Sequence, residues 1–137
     1  MNKEPKTPEE ILRNQSYIAL TTFKKNGQGI TTPTWFVFDN NKIYFYTAQK
    51  FWKVRRIRNN PNVEIAPANA RIGAPSDYQI IGETIKGIAR LLEGEEAKAA
   101  SRLLGRKYGF SYPFFNIFLS RRGKLLFFEV VPKVSTE

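Results

Sequence analysis

The chain contains no cysteine and no histidine. Disulfide staples, thiolate zinc sites, a nucleophilic cysteine and every histidine general base are thereby excluded, and with them a large set of hydrolase mechanisms. No run of about 18 apolar residues is present, so no membrane span is expected. The start, Met1 to Pro8, is polar and does not read as a signal peptide, which makes the cytoplasm the expected location. The scattered acids show no paired-carboxylate spacing, and without histidine a metal site would need an all-oxygen cage for which no spacing is visible. Hydrolytic, metal-dependent and membrane readings are therefore poor. Repeats, low-complexity stretches and linkers are also missing, so residues 1–137 read as a single domain.

What is present is positive charge and aromatic bulk. Lysine and arginine number 22 against 12 acids, a formal net charge of +10 that concentrates anions near the surface. The partner class is therefore anionic: a nucleic acid, an acidic protein or a phosphorylated small molecule. Eleven phenylalanines and 6 tyrosines argue for a packed core and against a disordered basic tail.

The local pattern is mostly that of strands. Thr7-Pro8-Glu9-Glu10 combines a threonine cap, a proline at the first helical position and a glutamate placed to close a capping box, so a short helix is expected over Pro8 to Asn14. Tyr17 to Phe23, Ile30 to Phe38 and Ile43 to Thr47 read as three strands of a meander, with turns at Asn26-Gly27 and at Asp39 to Lys42. From Lys50 to Asn60 the spacing becomes helical and stops at Pro61. Val63 to Ala66 resumes strand character, Pro67 to Ser76 reads as loop, and Tyr78 to Leu92 as one long strand kinked at its glycines. Gly94 to Lys107 is a helix by composition; a short helix over Tyr112 to Leu119 and a strand over Lys124 to Val131 complete the chain. About six strands in sequential hairpins favour a small antiparallel barrel over a parallel sheet.

Two segments carry candidate chemistry. In Lys50-Phe51-Trp52-Lys53-Val54-Arg55-Arg56 the cations Lys50, Lys53 and Arg56 recur every three residues and would share one broad helix face. The segment follows Tyr46-Thr47, so a strand end, a hydroxyl, the free N–H groups of a helix start and cationic side chains converge, which are the parts of a phosphate site. A solvated basic helix face is the competing explanation. The second segment is Thr32-Pro33-Thr34-Trp35, where a proline inside a strand implies an edge or a bulge that a planar ring can use. Its alternative is a twisted edge strand with Trp35 in the core. The basic clusters at Arg121 to Lys124 and Arg102 to Lys107 read as solubilising surface.

Taken in order, Tyr17 to Phe23, Thr32 to Val37, Tyr46-Thr47, Lys53 to Val63 and Gly87 to Leu92 resemble the pyridoxamine 5'-phosphate oxidase-like family over nearly the whole chain. Ala66 to Arg71 and Lys107-Tyr108-Gly109 are similar to its branch of deazaflavin-dependent enzymes. The resemblance implies a mainly β fold, an antiparallel six-stranded split β-barrel of Greek-key type with a few short helices. It also implies a homodimer that binds a phosphorylated flavin-type cofactor, FMN or the deazaflavin F420, between subunits. Carried over by position, Lys53 matches the phosphate-binding lysine, Thr47 the hydroxyl at the preceding strand end, Thr32, Pro33, Thr34 and Trp35 the strand lining the ring, and Arg56 a second cation. No acid–base residue is marked as catalytic, because in such proteins the cofactor carries the redox chemistry.

Three functions follow. The first is an oxidoreductase transferring a hydride between the bound cofactor and a small organic substrate. The second is a carrier or sensor of a flavin, of F420 or of a tetrapyrrole-like ring. The third, a basic nucleic-acid-binding protein, rests on the sequence pI of about 10.0 and is disfavoured by the lack of any RRM, KH or helix-turn-helix pattern.

Overall fold

Seven strands and three helices are found in the computed structural model, which describes residues 7–71, 74–108 and 125–133, with the backbone alone at 70, 71 and 74–77. The first helix, α1 (Pro8–Leu12), starts on the expected capping box: the Glu10 N–H donates to Thr7 Oγ1 at 3.2 Å and the Thr7 N–H to Glu10 Oε1 at 2.9 Å. It stops two residues early because Asn14 turns left-handed, at φ 64°. Strands β1 (Tyr17–Phe23) and β2 (Gly29–Asp39) are joined by a turn in which Gly27 supplies the positive φ of 91°. Asn40 and Asn41, at φ 52° and 64°, make the tight two-residue turn into β3 (Lys42–Ala48).

After β3 comes α2 (Trp52–Asn59), then β4 (Asn62–Arg71), β5 (Ala74–Ile80), β6 (Ile85–Leu91), α3 (Gly94–Tyr108) and β7 (Leu125–Pro132). The sheet order is β1-β2-β3-β7-β6-β4-β5, and β1 also pairs with β4. That pairing closes six antiparallel strands into a barrel and leaves β5 outside it, hydrogen-bonded only to the far half of β4. The mainly β, six-stranded antiparallel barrel expected from the sequence is what the chain forms.

Alternation fills the interior. Ile18 and Leu20 of β1, Phe36 of β2, Ile43 and Phe45 of β3, Val63 and Ile65 of β4 and Phe128 and Val130 of β7 are fully buried, and Phe45 stacks on its cross-strand partner Phe128 at 5.1 Å. Leu12 from α1 and Val54 and Ile57 from α2 belong to the same cluster. Helix α3 lies over β7, β3 and β2 on the outside. Among the described residues no helix is long and apolar enough to cross a membrane.

Two expectations are corrected. Of the segment Pro67 to Ser76, expected as loop, residues 67–71 lie in β4 and 74–76 in β5. Pro67 is tolerated because it falls between the part of β4 paired with β6 (62–65) and the part paired with β5 (68–71), where that edge needs no N–H donor. Tyr78 to Leu92 is two strands rather than one, since β5 ends at Ile80 and β6 begins at Ile85. The expected helix over Tyr112 to Leu119 lies outside the described residues.

Candidate cofactor site

The residues singled out in the sequence divide between two surfaces because side chains on a strand alternate. Thr32 and Thr34 of β2 face the same way as Leu20 and Ile18, their partners on β1, and so point toward the barrel interior. Pro33 and Trp35 face outward. On β3, Thr47 points inward with Phe45, while Tyr46 faces outward. A ligand that touches the side chains of Thr34 and Thr47 therefore does not meet those of Trp35 and Tyr46 on the same face.

On the outer face the aromatic rings form a row. Tyr17 and Trp35 meet edge-on at 6.2 Å, Trp35 and Tyr46 at 6.5 Å, and Tyr46 leans on Phe127 at 6.1 Å. Tyr108, the last residue of α3, stacks on Trp35 at 4.6 Å with the planes 9° apart. Its hydroxyl accepts the Phe36 N–H at 2.8 Å and has the carbonyls of Phe36 and Ser16 as alternative acceptors. Strand β1 begins at Tyr17, opposite Trp35, so Phe36 has no β1 partner on that side, and the phenol stands in for one. Lys107 adds a hydrogen bond to the same Phe36 carbonyl at 2.8 Å, with its ammonium 3.6 Å above the Phe36 ring. Burial raises the Tyr108 phenol above its ordinary range and lowers the Lys107 ammonium to about 8.

The inward surface holds a different chemistry. Helix α2 begins at Trp52, with Phe51 as an N-cap that offers no side-chain oxygen, so Lys50 lies before the helix and not on it. The three cations do not share one exposed face. Lys53 turns inward and its Nζ donates to Thr34 Oγ1 at 3.3 Å, whereas Arg56 Nε donates to Thr22 Oγ1 at 2.6 Å. Lys50 lines an open groove of about 1250 Å³ beside α2, which Arg56 also lines and Lys53 does not. Arg56 thus links the groove to the inward pair.

Lys53 is the unusual group. Lysines on helices normally keep the ammonium in water and bury the stem. Here the residue is partly exposed while the ammonium is desolvated, and that burial, reinforced by the adjacent Arg56 charge, lowers its pKa to about 8. Its hydrogen-bond partner is a neutral hydroxyl, and no carboxylate pairs with it among the described residues. Such a charge is uncompensated, and a bound anion would supply what is missing. Thr47 Oγ1, at the end of β3, is also buried without a hydrogen-bond partner among the described residues. Buried hydroxyls and an unmatched cation fit a phosphate group. No cluster of three metal-ligating side chains occurs among the described residues.

Sequence reasoning found Lys53, Thr34 and Arg56 but not Thr22, whose hydroxyl was hidden inside an ordinary strand pattern. The register Thr22 opposite Ile30 places it on the inward face, toward α2.

Comparison with known proteins fixes the class. The sequence model of the family described as pyridoxamine 5'-phosphate oxidase matches residues 5–134, and the chain belongs to that family. Among curated proteins none matches. Solved structures share the fold at low identity. HutZ, the heme storage protein of Vibrio cholerae, is similar with a TM-score of 0.70 and 17% identity, covering 93% of this chain and 88% of that one. A putative 5-nitroimidazole antibiotic resistance protein from Bacteroides thetaiotaomicron has a TM-score of 0.67 and 15% identity over 97% and 82% of the two chains. An F420 reductase has a TM-score of 0.63 and 19% identity over 96% and 97%.

Proposed function

We propose that the chain binds a phosphorylated flavin-type cofactor, FMN or the deazaflavin F420, and uses it to transfer a hydride to or from a small organic substrate. The observation that carries this reading is the part-buried Lys53 ammonium, 3.3 Å from Thr34 Oγ1 and with no carboxylate partner among the described residues. A phosphate there would restore full protonation of Lys53, with Thr34 beside it, Arg56 as a second cation and Thr47 as a further hydroxyl of the set. Hydride chemistry would come from the bound flavin itself. The protein's own residues would hold the phosphate and exclude water from it. Trp35 and Tyr46, on the outer row under Tyr108, act in this account as the wall that fixes β2 and β3, while Thr32 and Pro33 shape the half of β2 that leads to the phosphate.

Membership of the family and the fold shared with an F420 reductase support this assignment. A carrier role is the alternative, favoured by the surroundings of Lys53, where hydroxyls and Arg56 but no carboxylate are found among the described residues. A heme-carrying role would lack the usual histidine or cysteine ligand, since the chain has neither. Homodimerisation, expected from the family, would complete the cofactor groove from a second copy. The experiment is a fluorescence titration of the purified protein with FMN and with F420, followed by turnover of the bound, reduced cofactor with carbonyl and nitro-aromatic acceptors. Reoxidation by an acceptor supports the oxidoreductase, binding without reoxidation supports the carrier, and absence of binding contradicts both.

A further inference from the structure

The groove beside α2 is larger than one phosphate requires. Its volume of about 1250 Å³ exceeds the roughly 300–1,000 Å³ of ordinary small-molecule sites. Lys24 and Lys25 from the β1–β2 turn, Lys50 before α2, and Arg55 and Arg58 on α2 line it together with Arg56, and no acid is among its lining residues. Trp52, also in the lining, is 67% exposed, the most exposed of the large apolar side chains described. The Arg55 guanidinium stands over its indole, 5.4 Å from the centroid. At that exposure Trp52 contributes little to the packing of α2, and its ring is available to a ligand in the groove. A planar π-system flanked by cations is the chemistry that takes a nucleobase and its phosphate. The groove also adjoins the Lys53 site: Phe51 lines it with Lys53 Nζ 6.0 Å from the ring centroid, and Arg56 belongs to both.

We propose that the groove binds the nucleotide half of a dinucleotide, with the base stacked on Trp52 and the outer phosphate among Lys24, Lys25 and Lys50, so that the cofactor class is a flavin dinucleotide. This rests on the flavin reading above and narrows it from FMN or F420 to FAD, whose FMN half keeps its inner phosphate on Lys53.

The test is a side-by-side titration of the whole protein with FMN, FAD, AMP and NADPH, for the wild type and for Trp52→Ala, whose exposed side chain can be removed without touching the core. FAD should bind at least tenfold more tightly than FMN. Trp52→Ala should cost FAD about 5- to 150-fold in affinity, the range of one base stack, while FMN changes less than twofold. AMP, which carries the outer phosphate alone, should compete with FAD but not with FMN. Equal binding of FMN and FAD, unaffected by Trp52→Ala, overturns this inference and leaves the flavin reading standing. Loss of both flavins sinks the flavin reading and the inference with it. NADPH that binds the FMN-loaded protein in a Trp52-dependent step, with FAD no tighter than FMN, assigns the groove to a nicotinamide cosubstrate and overturns the dinucleotide cofactor.

Discussion

Lys53 on α2 and Thr34 on β2 meet at 3.3 Å inside the mouth of the barrel, and the hydroxyl is the hydrogen-bond partner found for the ammonium. A buried cation facing a neutral oxygen weakens the folded protein until an anion arrives. The same geometry therefore sets stability and binding against each other.

Substitution exposes that opposition. Lys53→Met keeps the stem and removes the charge, so the ligand-free protein should gain about 1 kcal/mol, or roughly 3–6 °C in Tm. The variant should lose about 1.5–3 kcal/mol of FMN binding, the worth of a charge-assisted hydrogen bond. Thermal melts with and without FMN check both halves. A variant that is less stable and binds FMN normally would show that Lys53 is structural.

The pH dependence follows from the lowered pKa values of Lys53 and Lys107, each about 8. In the unfolded chain a lysine titrates near 10.4, so between about pH 8 and 10 the unfolded state binds more protons and stability rises with pH. Below about pH 8 both states are protonated and the destabilising charge is fully present. Denaturant midpoints for the ligand-free protein should therefore climb from pH 8 to 9.5, and Lys53→Met should reduce the slope without abolishing it, because Lys107 remains. FMN affinity should run the other way, falling as pH rises above about 8, since the deprotonated amine attracts no phosphate. A flat profile in both measurements would contradict the assignment.

Tyr108 tests the junction between α3 and the sheet. Tyr108→Phe retains the stack on Trp35 but leaves the Phe36 N–H without its phenol acceptor. The expected cost is about 1–3 kcal/mol, read as a lower denaturant midpoint with an unchanged slope. Tyr108→Ala removes the stack as well and should cost more.

Gly87 tests the wall between β6 and β7. A Cβ there would stand 2.6 Å from Val130 Cγ1 and 2.9 Å from the Val131 carbonyl oxygen, with backbone on one side and the core on the other. Gly87→Ala should destabilise by about 1–3 kcal/mol through overpacking. An unaffected melting curve would show that the two strands have more room than this register allows.

How much of this was legible in the sequence differs by element. The capping box at Thr7, the turn at Gly27 and the Asn40-Asn41 turn were readable because each depends on residues a few positions apart. The β4–β5 hairpin was not, since Pro67 reads as a breaker until β4 is known to change partners around it. At the site, the cationic spacing pointed to Lys53 and Arg56, but the inward turn of Lys53 depends on Thr34, 19 residues away. Tyr108 was matched to the family in the sequence, but its role was not legible there, because the carbonyl and N–H it serves are 72 residues earlier. Long-range pairing decided what local pattern left open.

The most direct measurement compares FMN with riboflavin, which differ by the phosphate alone, in wild type and Lys53→Met by fluorescence titration at pH 7. The account predicts that the wild type binds FMN at least tenfold more tightly than riboflavin and that Lys53→Met erases most of that ratio while leaving riboflavin affinity unchanged. Equal affinity for the two in the wild type, or a ratio that survives Lys53→Met, would contradict the claim that the buried lysine is the phosphate anchor.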